Sequence, residues 1–200
     1  MTPLLVLIAA YLIGGVPFGY LLVRLKTGRD VRSLGSGNIG ATNVLRTTGR
    51  AIAIVTLLLD IAKGWFAVWL AACFTDNSPV WMSAAAVVVM LGHAFPVWLG
   101  FKGGKAVASF IGAFLYLTPV PLLASLVVFV IVVAASRYIS LGSILAAGAF
   151  PFAVWLILHP EMPILLAAFV AGAFVVFRHR ENLDRIRTGN ENVFRFGAPQ

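Results

Sequence analysis

The sequence predicts an all-α integral membrane protein of seven transmembrane helices, the fourth short, with the N-terminus outside and the C-terminus cytoplasmic. Three observations lead there. The 200 residues are 60% hydrophobic and 11% charged, with a mean hydropathy of +0.97. A soluble domain has about 45–50% apolar and about 25% charged residues. Several apolar runs approach the length needed to cross a bilayer. The basic residues, finally, are confined to alternate links between those runs. The same arithmetic excludes a disordered chain, and a single cysteine, Cys73, excludes a disulfide-stapled secreted scaffold. A net charge of +8 would suit nucleic acid, but too few charges remain to clothe a soluble binder, so no nucleic-acid partner is expected.

The first run, 3–23, stops at Arg24 and Lys26 and has no small-residue cleavage site, so it reads as a retained helix and not a signal peptide. The second and third cover 51–74 and about 80–99, followed by 106–118, 120–136, 141–158 and 162–177. The run 106–118 spans only about 20 Å as a helix, less than the roughly 30 Å hydrocarbon core, and a re-entrant segment is the alternative. Charge decides between them. With seven crossings, every one of the 15 basic residues except Lys63 falls on one side, and the positive-inside rule makes that side cytoplasmic. Nothing marks an internal repeat or a boundary, so residues 1–200 are read as one membrane-embedded domain.

Three polar constellations share that side. In the first, Gly35, Ser36, Gly37, Asn38, Gly40, Thr42, Asn43 and Arg46 crowd the link between the first two spans. Glycines let backbone amides converge on an anion, the neutral side chains add donors, and Arg46 offers a fork suited to phosphate. The plain alternative is a basic loop lying on anionic lipid. Gly35, Gly37 and Gly40 also spell a dinucleotide fingerprint, with Asp60 twenty residues on. That pattern has meaning only between a strand and a helix, and here a membrane span precedes it.

The second constellation is Lys102-Gly103-Gly104-Lys105, immediately before the fourth run. Helix-start amides, the helix dipole and an ammonium would suit a phosphate. It is not a Walker A loop, because Leu99 and Ala106 stand where glycine and a magnesium-holding hydroxyl belong. A tight turn with snorkelling lysines is the plain alternative. No paired acids call for a metal, and no cofactor is implied.

The third constellation opens the tail with Arg178, His179 and Asn182, with Ser140 and Ser143 beginning the sixth span at the same depth. His179 and Asn182, three apart, share a helix face. His179 and Asp184 match the His-x4-Asp spacing of acyltransferases that use thioesters, but a regular helix turns them about 140° apart. Within the second span, Asp60 and Lys63 are expected to pair or to face the interior, since unpaired charge in lipid is costly. His93 is as well suited to packing or hydrogen bonding as to catalysis.

These stretches, GSGNIGATNVLRTTG at 35–49, the Gly92-His93 and GFKGGKAVA segments within 92–108, Ser-Leu-Gly-Ser at 140–143 and RHRENLDRIRTGNE at 178–191, resemble the bacterial membrane glycerol-3-phosphate acyltransferases that use acyl phosphate. The resemblance covers essentially the whole chain. Ile39, Ala106 and Ser109 depart from the family's usual proline, glycine and threonine. The resemblance implies a seven-helix enzyme of the bacterial cytoplasmic (inner) membrane, its active site facing the cytoplasm. It implies acyl transfer from a long-chain acyl phosphate to the 1-hydroxyl of glycerol 3-phosphate, giving lysophosphatidic acid. On the same basis Ser36, Lys105 and the Gly103 and Gly104 amides bind the donor phosphate, while Arg46, His179 and Asn182 orient the acceptor. Gly35, Gly37, Asn38, Gly40, Thr42, Asn43, Lys102 and Ser143 complete the expected substrate contacts. His179 serves either as general base or as a binding group, and the latter is favoured. A transporter of organic phosphates and a thioester-dependent acyltransferase using His179 and Asp184 are the competing readings.

Overall fold

The computed structural model describes residues 2–194, so Arg195, one of the basic tail residues counted above, lies outside the described residues. All regular structure among them is helical. The chain divides into two compact units, one ending at Tyr116 and one beginning at Leu117. Among the described residues, five helices are long and apolar enough to cross a membrane, and six if a bent pair, Met162–Arg178 with Arg180–Arg187, counts as one span.

In the first unit, α1 (Pro3–Gly15) and α2 (Phe18–Thr27) form one predicted span with a break at Val16-Pro17. Proline lacks an amide hydrogen and pushes the residue before it out of the helical region; Val16 accordingly has ψ 113. A 3-10 turn at Val31–Ser33 and the short α3 (Ala41–Thr47) follow, then α4 (Arg50–Phe74) and α5 (Pro79–Ala94). A second 3-10 turn, Val97–Leu99, leads into the loop before α6 (Val107–Leu117). That α6 has only 11 residues agrees with the short fourth run.

Glycines set how closely these helices cross. A methyl group on Gly14 would overlap the Val89 carbonyl, and one on Gly92 the Tyr11 carbonyl, so α1 and α5 meet backbone to backbone. Gly64 faces the Ser109 carbonyl and Gly112 the Ile61 carbonyl, which brings α4 and α6 together in the same way. In lipid the solvent gives no hydrophobic push between helices, and such close van der Waals approach supplies the attraction. Under the polar loops, Val23, Val31, Ile39, Val44, Ala53 and Leu99 form one buried cluster.

The second unit contains α7 (Pro119–Ser136), α8 (Ile139–Leu158), α9 (Met162–Arg178) and α10 (Arg180–Arg187). Prolines 119 and 163 occupy first-turn positions, where a missing amide hydrogen costs nothing. Helix α8 packs on both α7 and α9. Helices α9 and α10 are bent by 49° at His179, so the apolar span gives way to the basic tail at that residue.

Candidate active site

In the first unit the glycine-rich loop is built around Asn43. This side chain is 2% exposed and accepts from the Ser36 amide at 2.9 Å. Its own amide donates to the Asn38 carbonyl at 2.8 Å and the Leu34 carbonyl at 3.0 Å. Asn43, expected to touch substrate, therefore braces the loop from inside. Asn38 is used similarly, its side-chain oxygen accepting from the Gly40 amide at 2.8 Å. Gly35 and Gly37 have φ of 54° and 71°, a region open to glycine at little cost. A side chain on Gly35 would also overlap the Asn43 side-chain oxygen. What the loop presents outward is Ser36, which is exposed, with Thr42 and Arg46 half-buried on α3.

An ion pair steadies the approach to this loop. Arg32 donates to Asp30 at 2.7 Å and reaches the Leu99 carbonyl at 3.4 Å. The hydrogen bond from Arg32 holds the Asp30 carboxyl below the usual carboxylate range.

The loop before α6 closes back on α5. The Gly103 amide donates to the Ala94 carbonyl and the Gly104 amide to the His93 carbonyl, each at 3.1 Å. Both amides, expected to receive a phosphate, instead satisfy carbonyls at the end of α5, which lack partners in their own helix. The charged side chains of the loop are Lys105, half-buried, and Lys102, exposed. Ala106 is 1% exposed and has φ 62°, so the position that departs from the family's usual glycine does hold a left-handed backbone.

In the second unit, His179 is 4% exposed and its Nδ1 lies 2.8 Å from the Val175 carbonyl. Only a protonated Nδ1 can make that bond, so in the neutral ring Nε2 carries the lone pair. Asn182 donates to Glu191 Oε1 at 2.8 Å, Ser140 to the same oxygen at 3.0 Å, and Arg185 to Oε2 at 2.8 Å. Glu191 thus gathers α8 and α10, and the Phe194 amide ties the segment beyond it to the Arg137 carbonyl. Burial works against the charged form of Glu191, but these three donors outweigh it and its carboxyl lies below the usual range. Ser143 donates to the Ile139 carbonyl of its own helix at 3.0 Å. The Asp184 side chain is 73% exposed, near Arg187 at 3.9 Å, while His179 is buried.

Sequence reasoning assigned Glu191 no part. It is one of several acids in a basic tail, and its partner Ser140 is 51 residues away, so nothing local marks it. The cluster Asp60, Lys63 and His93 was visible only as an intramembrane pair and a separate histidine.

A model of the family described as glycerol-3-phosphate acyltransferase matches residues 4–189. The chain belongs to the glycerol-3-phosphate acyltransferase family. A family relative from Geotalea daltonii is 46% identical over 97% of this chain and 98% of its own length. One from Geobacter sulfurreducens is 44% identical over 98% and 99%. Among solved structures, PlsY, an integral membrane glycerol 3-phosphate acyltransferase, in its glycerol 3-phosphate form superposes with a TM-score of 0.91. It is 37% identical, over 98% of this chain and 96% of that one. Its lysophosphatidic acid form gives 0.88 at 35% identity. The chain therefore has the PlsY integral membrane fold.

Two outcomes follow for this family member. Replacing Ala106 by glycine relieves a left-handed backbone worth about 1–2 kcal/mol, but loses a buried methyl and frees the unfolded chain by a similar amount. Thermal unfolding in detergent should move by less than about 1 kcal/mol for Ala106→Gly. Ala106→Val puts a branched side chain at the same φ and should cost about 2 kcal/mol or more.

Glu191→Gln should cost about 1–2 kcal/mol, because a charged acceptor is lost to Arg185. The folded-state carboxyl titrates below its ordinary 4.5, so its contribution is fully present above pH 4.5 and is lost as pH falls through the lower value. Melts of wild type and variant should stay separated from pH 7 to about 5.5 and converge in stronger acid.

Proposed function

We propose that the chain transfers a fatty acyl group from a long-chain acyl phosphate to the 1-hydroxyl of glycerol 3-phosphate, releasing phosphate and lysophosphatidic acid. The observation that carries this reading is the match along nearly the whole chain to PlsY in its glycerol 3-phosphate form. Residues 1–200 act as a single acyltransferase domain in the bacterial inner membrane. Seven crossings, with α6 as the short one, place the N-terminus outside. The tail and the Ser36, Lys105 and His179 segments then face the cytoplasm, which agrees with the distribution of basic residues.

Both reactants are anions, so the protein's task is to bring negative charges together and to stabilise the charge that leaves with phosphate. Acyl phosphate is a mixed anhydride with a good leaving group, and positioning and electrostatics are what remain to be supplied. In this reading the Ser36 hydroxyl and the Lys105 ammonium hold the donor phosphate, while Lys102, Gly103 and Gly104 shape the loop that presents it. Arg46, His179 and Asn182 hold and orient the acceptor, with Thr42 and Ser143 lining the polar surface. Glu191 fixes the Asn182 amide, and the Val175 carbonyl fixes the His179 ring. An oxygen of the donor phosphate takes the hydroxyl proton, and His179 acts by binding. The buried His179 and exposed Asp184 do not form a dyad, which counts against a thioester mechanism through that pair.

Purified protein in nanodiscs, given labelled glycerol 3-phosphate with palmitoyl phosphate, palmitoyl-CoA or acyl carrier protein thioester, should make lysophosphatidic acid from the acyl phosphate alone. Lys105→Ala should lower that rate by about 10²–10³-fold. Product from a thioester would overturn the donor assignment. No product at all, with uptake of glycerol 3-phosphate into sealed liposomes, would point to transport.

His179→Gln keeps a hydrogen-bonding group without a base. It should retain measurable turnover with a raised acceptor KM. A fall in kcat of about 10³-fold at unchanged KM would instead make His179 the base.

A further inference from the structure

Three ionisable side chains lie inside the first unit with no part in the chemistry described above. Asp60, Lys63 and His93 are 2%, 5% and 4% exposed. Lys63 Nζ is 2.7 Å from Asp60 Oδ1, and the same oxygen is 3.6 Å from His93 Nδ1. Lys63 also donates to the Val16 carbonyl at 2.9 Å, at the break between α1 and α2. Placing charges in an apolar helix costs several kcal/mol each unless they are paired and hydrogen-bonded, and pairing alone would need no histidine.

The ends of this cluster reach both polar loops of the unit. On one side, the His93 carbonyl accepts the Gly104 amide, and a methyl group on Gly104 would overlap His93 Nε2. Gly103 is equally confined, against the His93 carbonyl and the Pro96 ring. The ring and backbone of His93 together therefore set where the residue before Lys105 sits. On the other side, Lys63 holds the break from which α2 starts, and Gly19 of α2 lies against the Ile39 carbonyl in the glycine-rich loop. The carbonyl at the break, the ammonium, the carboxylate and the imidazole form one buried chain between the Ser36 loop and the Lys105 loop.

We propose that the Asp60–Lys63–His93 cluster is a positioning device for substrate phosphate, holding the Gly103–Lys105 loop in register with the Ser36 loop through the His93 ring. The inference rests on the acyltransferase reading and adds residues to it that touch no substrate. His93 is a positioning residue: its Nδ1 lies 3.6 Å from Asp60 Oδ1, its ring and carbonyl confine Gly104, and its effect on the reaction passes through Gly104 to Lys105.

The test separates positioning from mere charge neutralisation. Asp60→Asn with Lys63→Met removes both buried charges together, a change that is often tolerated where removal of one partner is not. His93→Asn leaves the ion pair intact and keeps the test independent of how the double variant folds. Full-length protein in nanodiscs, with thermal unfolding checked for each variant, is assayed for KM and kcat against acyl phosphate and glycerol 3-phosphate.

Both variants should raise the KM of a phosphate-bearing substrate about tenfold, with kcat within about threefold. The substrate affected identifies the phosphate that the Lys105 loop holds. In a Lys105→Ala background the same changes should add nothing further to that KM, because all act through one side chain. Wild-type Michaelis constants in both variants, or effects that add in full to Lys105→Ala, would overturn the proposal while leaving the acyltransferase reading intact. A wild-type chain that turns over no donor would overturn that reading and this inference with it.

Discussion

A lysine and an aspartate buried one turn apart in an apolar helix are the constraint on which the first unit is organised. Neither charge can be left alone in a low-dielectric interior, and the 2.7 Å pair solves only part of the problem. The remaining hydrogen-bonding capacity has to be met by neighbours. Lys63 finds it in the Val16 carbonyl, where Pro17 has interrupted the helix, and Asp60 faces His93. The interruption of α1 and α2 and the placement of α5 are thus tied to one site on α4.

Close approach of backbones carries this order outward to the loops. Where α1 meets α5 and where α4 meets α6, glycine on one helix faces a carbonyl on the other, so the helices cannot slide without collision. The loops continue the same economy of space. Gly103 and Gly104 fit under α5 only because they lack side chains, and their amides serve α5 in return. Those two amides are committed to carbonyls at the end of α5, and Lys102 and Lys105 are the charged side chains of the loop.

The second unit uses a carboxylate for a comparable task. Glu191 receives hydrogen bonds from α8 and α10, and the chain after it returns to Arg137 at the end of α7. A basic tail with this many arginines would otherwise have little reason to fold back. The bend at His179 is fixed at the same time, since the His179 ring bonds one turn back to Val175 while Asn182, three residues on, is held by Glu191.

Hydropathy along the chain was sufficient to find the helices, because lipid requires each span to satisfy its own backbone hydrogen bonds and leaves length and apolarity as the signal. The run at 106–118 became the 11-residue α6; the first run was split into α1 and α2 at Val16-Pro17, the third into α5 and the Val97–Leu99 turn, and the other apolar runs became single helices with ends shifted by a few residues. Composition also singled out three polar stretches as candidates for the site, and in the structure each is held by hydrogen bonds of its own. The sequence alone could not assign jobs within those stretches. Asn43 turned inward, the Gly103 and Gly104 amides were taken by α5, and Glu191 emerged as the anchor of the tail. Each outcome depends on a partner that folding brings near, such as Ser140 for Glu191 or Val16 for Lys63, and sequence spacing carries no record of that proximity.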